Sequence, residues 1–273
     1  MNGSFKTGVI HLAPILTSLV FGVLCAHLLQ TTQTEIYNIT PFQEGPGSFA
    51  NAAYFVILVS IGATVLYLLL KRKSIRLVVL ITGFALTTAV FMLSVIYLSA
   101  LLQTLNISQA DTPIVLVPSF VITASVDFAV FRTRNRICDF AVLLLGGALG
   151  AFLGYSIPVL SAALILGFLA IYDIFAVCHG PVGKIAHTGL EQLRGLSFSF
   201  KDLQMGLGDI TFYSMLIGKV LVDAGPIFCA ASIIGVLVGA FLAFKMLEKK
   251  GMFPGLPFPI AFGLIPLIIS FFL

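Results

Sequence analysis

The sequence predicts an all-α membrane protein of nine transmembrane helices, with its N-terminus cytoplasmic and its C-terminus outside. Three observations carry this expectation. Of the 273 residues 59% are hydrophobic and only 10% charged, and the mean hydropathy is +1.10; that leaves too little polar surface to coat a soluble globule. Apolar runs recur nine times, each near the roughly 20 residues needed to cross a hydrocarbon core of about 30 Å. Finally, the basic residues fall almost entirely on alternate connections between those runs.

The spans run in order over residues 8–30, 49–70, 75–102, 112–131, 138–155, 157–178, 205–222, 226–245 and 256–272. The first has a basic residue before an apolar run, as a signal peptide does. The run is long and lacks a small-x-small cleavage site, so it is expected to remain as an anchor. The fifth, seventh and ninth spans are short, and Pro257, Pro259 and Pro266 make a regular helix least expected in the ninth. The chain then divides into six helices over 1–178, a cytoplasmic loop over 179–204 and three helices over 205–273.

Charge tests the count. Lys6 precedes the first span; Lys71, Arg72, Lys73 and Arg76 follow the second; Arg132, Arg134 and Arg136 the fourth; Lys184, Arg194 and Lys201 the sixth; Lys245, Lys249 and Lys250 the eighth. The other connections hold Glu35, Glu44, Asp111 and Asp223 but no Lys or Arg. Fourteen of fifteen basic residues thus lie on one side, and only Lys219 falls inside a span. A count of eight or ten spans breaks this alternation.

The net charge of +4 is scattered in short clusters between spans, which reads as topology and excludes a nucleic-acid stripe. Cys25, Cys138, Cys178 and Cys229 lie in or at the ends of apolar segments, without CxxC or metal-finger spacing. They read as packing residues. His11 and His27 have no carboxylate near them in sequence and read the same way, so no metal and no cofactor is expected. The stretch Gly180 to Lys184 lacks the spacing and the Ser/Thr of a phosphate loop. Local charge pairing accounts for Asp127 and Asp139, and an ion pair with Asp223 for Lys219.

Two carboxylates resist any such explanation. Asp173 and Asp209 each sit in apolar sequence, where a mid-span carboxylate costs roughly 2.5 to 3.5 kcal/mol. With the sixth span ending near Cys178 and the seventh starting near Met205, both lie about 6 to 8 Å below the same surface at about 1.5 Å per residue. Consecutive spans often pack as neighbours. Two carboxyl groups within hydrogen-bond reach cannot both ionise cheaply, so a facing pair holds one proton, the arrangement that activates water against a peptide carbonyl. Gly206 and Gly208 either let another backbone approach Asp209 or serve as small-residue helix contacts. Prolines at 254, 257 and 259 leave backbone groups unpaired, tolerable at depth where they line a cavity or pair with a strand; the alternative is a plain helix start with Pro in its first turn.

These residues carry a resemblance. Tyr172-Asp173 with Gly180-Pro181, Gly206-Leu207-Gly208-Asp209 with Phe212-Tyr213-Ser214, and Pro254-Gly255-Leu256-Pro257 stand in order on the sixth, seventh and ninth spans. Together they resemble the motifs of the presenilin and signal peptide peptidase family, and the predicted orientation resembles presenilin. The resemblance implies an intramembrane aspartyl protease that cleaves transmembrane segments of other proteins in the lipid bilayer. It implies Asp173 and Asp209 as the catalytic pair, Tyr172, Gly206, Leu207 and Gly208 as support, and Pro254 to Pro257 as a substrate-positioning element. Gly255 departs from the pattern, which usually has Ala there. The chain's small size resembles an archaeal homologue, so a prokaryotic cell membrane is expected.

The loop over 179–204 carries Leu190, Leu193, Leu196, Phe198 and Phe200 among charges. It lies on the membrane surface, gates substrate or is cut by the enzyme itself; the sequence does not choose. The competing function is a proton- or cation-coupled carrier using the same acids, though no paired broken segments mark the two halves. Substrate identity, oligomeric state and accessory subunits are not written in the sequence.

Overall fold

Apolar runs this long bury their backbone polar groups most simply as helices, and nine α-helices form among the residues the computed structural model describes, 7–32, 36, 38–105, 112–132, 136–178, 195–201 and 203–272. They are α1 (Ala13–Thr31, entered through a 3-10 turn), α2 (Gly47–Lys71), α3 (Ile75–Thr104), α4 (Thr112–Phe131), α5 (Arg136–Ser156), α6 (Val159–Cys178), α7 (Leu207–Ala224), α8 (Pro226–Lys250) and α9 (Pro257–Ser270). Each coincides with a predicted span to within a few residues. Seven are long and apolar enough to cross a membrane, and the chain is an integral, multi-pass membrane protein. Of the other two, α7 carries Asp209, Lys219 and Asp223, and α9 has only 14 residues. The fifth span is not short: α5 has 21 residues, because Arg136 and Asp139 at its polar edge still continue the helix.

One short sheet accompanies the helices. Within the predicted 179–204 loop, β1 (Ser197–Phe200) and β2 (Leu203–Gly206) form an antiparallel hairpin, with Phe198 opposite Met205 and Phe200 opposite Leu203. Phe198, Leu203 and Met205 are buried, so the alternating face is a packing surface. The Ser199 N–H donates to Asp139 on α5 at 3.0 Å, and the Leu207 N–H donates to the Leu196 carbonyl at 2.8 Å. The rest of that loop, with Leu190 and Leu193, lies outside the described residues.

The termini of the helices gather at two ends, as alternating spans require. At one end the hairpin meets α5, Phe200 packs edge-on against His11 before α1, Gly195 lies against Leu86 of α3 and Val130 of α4, and Thr7 donates to Glu248 of α8. At the other, Glu44 accepts from the Leu160 N–H and Gln30 donates to the Val222 carbonyl.

Helix α7 is the buried hub, packed by α5, α1, α6, α8 and α9. In lipid, helices associate through close packing rather than the hydrophobic effect, and small residues provide it here. A Cβ on Gly150 of α5 would lie 2.5 Å from the Ser214 Cβ, and one on Gly154 would lie 2.5 Å from the Met215 carbonyl oxygen. On the far side, a Cβ on Gly239 of α8 would lie 2.5 Å from the Phe258 carbonyl oxygen. That contact fixes the start of α9. Lys219 is buried, donates to the Ile157 carbonyl at 2.7 Å and pairs with Asp223 at 3.1 Å, as the ion-pair expectation had it. Asp127 and Asp139 differ from expectation: among the described residues neither is in a salt bridge. Asp127 accepts from Thr87 on α3 at 2.7 Å and Asp139 from Ser199 at 3.0 Å, so each joins two elements; Arg134 lies outside the described residues.

Candidate active site

Asp173 lies five residues before the end of α6 at Cys178, about 8 Å of helix. Asp209 is the third residue of α7, one helical turn into the next span. The two carboxyl groups therefore enter from antiparallel helices at the same end of the bundle, both half-buried.

Local sequence explains each position. Gly206 closes β2 and is the N-cap of α7 in an extended conformation, φ −74° and ψ 147°. Asp209 stands three residues on, in the first turn of α7. The partial positive charge of the helix N-terminus favours an acid there. Leu207 is buried against Gly146 of α5 and ties the hairpin to α7 through its N–H.

The element before α9 completes the site. Residues 252–256 are not helical, and Pro257 is the first residue of α9, so the helix-start reading holds for that proline. Pro254 and Leu256 are buried. The N–H of Leu256 donates to Asp173 Oδ2 at 3.0 Å. From Gly255 an added Cβ would lie 2.8 Å from Asp209 Oδ2 and 3.1 Å from its Cγ. One short stretch thus touches both acids.

Two expectations about glycine change. Gly206 and Gly208 are not the close-approach positions: a Cβ on either would meet nothing nearer than 3.9 Å, because Gly206 ends a strand and Gly208 faces outward in the first turn of α7. The close approach to Asp209 belongs to Gly255. Tyr172 is half-buried, and among the described residues it makes no hydrogen bond. Gly180-Pro181 lies outside the described residues.

Tyr213 stands in a sequence motif but is given no role by it. It is 1% exposed, and its hydroxyl donates to the Gly255 carbonyl at 2.7 Å. Its spacing of four residues from Asp209 was a readable signal, since such pairs share a helix face; what no spacing discloses is a partner 42 residues away. Among the described residues no group of three or more His, Cys, Asp or Glu side chains is placed to hold a metal ion. An apolar cavity of about 560 Å³ between α1, α3, α4 and α5, lined by Phe21, Leu93, Tyr97 and Phe140, has none of the candidate site residues in its wall.

No protein-family model matches the chain. Among curated proteins, Presenilin-B of Dictyostelium discoideum is 33% identical over 114 residues, covering 37% of this chain and 24% of that protein. The chain therefore matches about a quarter of that relative's length. Two solved structures of a presenilin family intramembrane aspartate protease, in two crystal forms, superpose with TM-scores of 0.67 and 0.65 at 19% and 20% identity. They cover 95% and 94% of this chain, and the chain covers 98% and 95% of theirs. The fold is that of those structures.

Proposed function

We propose that this chain is a presenilin-like intramembrane aspartyl protease, an aspartic endopeptidase that hydrolyses peptide bonds within transmembrane segments of other proteins. The observation that carries the reading is the meeting of Asp173 and Asp209 on one non-helical stretch, Gly255-Leu256. In this reading the pair shares one proton. The ionised carboxyl group takes a proton from water as the water oxygen attacks the scissile carbonyl carbon, and the protonated one gives its proton to the carbonyl oxygen. Collapse of the tetrahedral intermediate breaks the C–N bond, and a proton passes to the departing amine.

The alternating charge supports placing the acid-bearing end, with the N-terminus, in the cytoplasm. The 254–257 element holds the unwound substrate beside the carboxyls in this reading, and Leu207 and Gly206 keep Asp209 at its helix start. The test is a digest of a single-span substrate by protein in lipid vesicles, comparing wild type with Asp173→Asn and Asp209→Asn. Both variants are expected to lose cleavage, and a peptide isostere bearing a hydroxyl in place of the scissile carbonyl is expected to inhibit the wild type tightly. Undiminished cleavage by either variant sinks the assignment. Ion flux without cleavage moves it to the carrier class.

A further inference from the structure

Groups from α6 and α7 converge on the single peptide unit that joins Gly255 to Leu256. Its N–H donates to Asp173 Oδ2 at 3.0 Å, and its C=O accepts from the Tyr213 hydroxyl at 2.7 Å. On the Gly255 side the same unit rests on Asp209, where a Cβ would come within 2.8 Å of Oδ2. We propose that Tyr213 is a positioning residue for the hydrolysis assigned above, acting on Asp173 through this peptide unit; the inference rests on that assignment.

The chain of contacts runs Tyr213 O–H to Gly255 C=O, then Leu256 N–H to the Asp173 carboxyl group. A hydrogen bond accepted by an amide oxygen polarises the amide and strengthens the bond its N–H donates, by about 10 to 30% per bond. Tyr213 also has a geometric role. Residues 252–256 lie outside any helix, so no intrahelical bond fixes the orientation of this peptide plane, and Asp173 alone would leave it free to swing about one anchor. The bond from Tyr213 is a second anchor on the opposite edge of the plane. Because Tyr213 and Asp209 lie four residues apart on α7, the turn that carries one acid also sets the peptide that holds the other. The phenol is fully buried, so its hydroxyl needs a partner, and the Gly255 carbonyl supplies it. Since that proton is committed to a backbone oxygen, Tyr213 acts on the carboxyl through the peptide and does not touch substrate.

The experiment compares wild type with Tyr213→Phe in lipid vesicles, by single-span substrate kinetics and by hydrogen exchange at the Leu256 amide. Phe keeps the ring and its packing, so the melting temperature is expected to stay at the wild-type value. We expect kcat to fall about tenfold or more, the range seen when a supporting hydrogen bond to a reacting group is lost, with KM within about twofold and binding of the hydroxyl isostere weakened in step with kcat. The Leu256 amide is expected to exchange at least about tenfold faster as its plane is freed. Wild-type kcat with unchanged exchange at Leu256 overturns the inference, as does a parallel loss of kcat, substrate binding and melting temperature, which marks a purely structural tyrosine. Cleavage retained by Asp209→Asn overturns the assignment of the acids instead, and the exchange readout still decides whether Tyr213 holds the peptide.

Discussion

Gly255→Ala adds one methyl where Asp209 rests, and the structure sets its consequence. The new Cβ would lie 2.8 Å from Oδ2, 3.1 Å from Cγ and 3.4 Å from Oδ1, whereas unstrained carbon contacts begin near about 3.5 Å. The carboxyl group must therefore withdraw by roughly 0.5 to 0.7 Å. It is the free end of a side chain, so it gives way cheaply, and we expect a stability change under about 1 kcal/mol. Catalysis is less forgiving. A misplacement of about 1 Å costs on the order of a hundredfold, which scales to a loss of roughly 10- to 25-fold in kcat here. The control is Gly239→Ala, whose Cβ would meet the Phe258 carbonyl oxygen at 2.5 Å and Pro259 Cα at 2.6 Å. Backbone cannot retreat as a carboxylate does, so this variant is expected to lose about 1 to 3 kcal/mol of stability. Single-turnover cleavage and thermal melting, measured together in lipid, separate the two. The reasoning is refuted if Gly255→Ala cleaves at the wild-type rate, or if its melting temperature falls as far as that of Gly239→Ala. The first result has particular force because the resembling motif carries Ala at this position: it would mean that the carboxyl pair reseats around the methyl without cost.

Three further outcomes are expected. Gly150→Leu drives a side chain into Ser214 and Met215 of the hub helix and should lower stability by about 3 kcal/mol or abolish insertion, visible as lost monodisperse protein in detergent. Lys219→Met leaves Asp223 and the Ile157 carbonyl without their partner; a cost of about 1 to 3 kcal/mol in melting is expected, with kcat per folded molecule unchanged. Asp139→Ala removes the acceptor for the Ser199 N–H, and amide exchange in β1 should accelerate about tenfold while exchange in α5 stays slow.

Much of the fold was legible because the bilayer simplifies the rules. Length and hydropathy gave the nine helices, and Asp173 and Asp209 stood out against apolar surroundings. The proline-broken stretch before α9 was legible for the same reason. The hairpin was harder. Leu196, Phe198 and Phe200 recur every second residue, with Leu203 and Met205 continuing the pattern, and this is the period of a strand. A run of four residues is too short to distinguish from a surface-lying loop until its non-local partner is known. The glycines were undecided for another reason: Gly206 and Gly208 sit next to Asp209 in sequence, whereas the residue that touches its carboxyl group arrives from 46 positions away, at Gly255. Tyr213 stood in a motif without a role for a like reason, since its role depends on an acceptor that only the tertiary structure supplies.

The shortness of α9 has a reach of its own. Fourteen residues rise about 21 Å, some 9 Å less than a hydrocarbon slab of about 30 Å. The deficit matches the depth of Asp173, five residues inside the end of α6. A stunted final helix thus sets the non-helical backbone of Gly255 and Leu256 where a full-length span would carry another turn and a half of greasy side chains. In the proposed hydrolysis, polar backbone at that depth is what an unwound substrate strand would pair with, and a missing length of helix is what leaves it out of helical pairing.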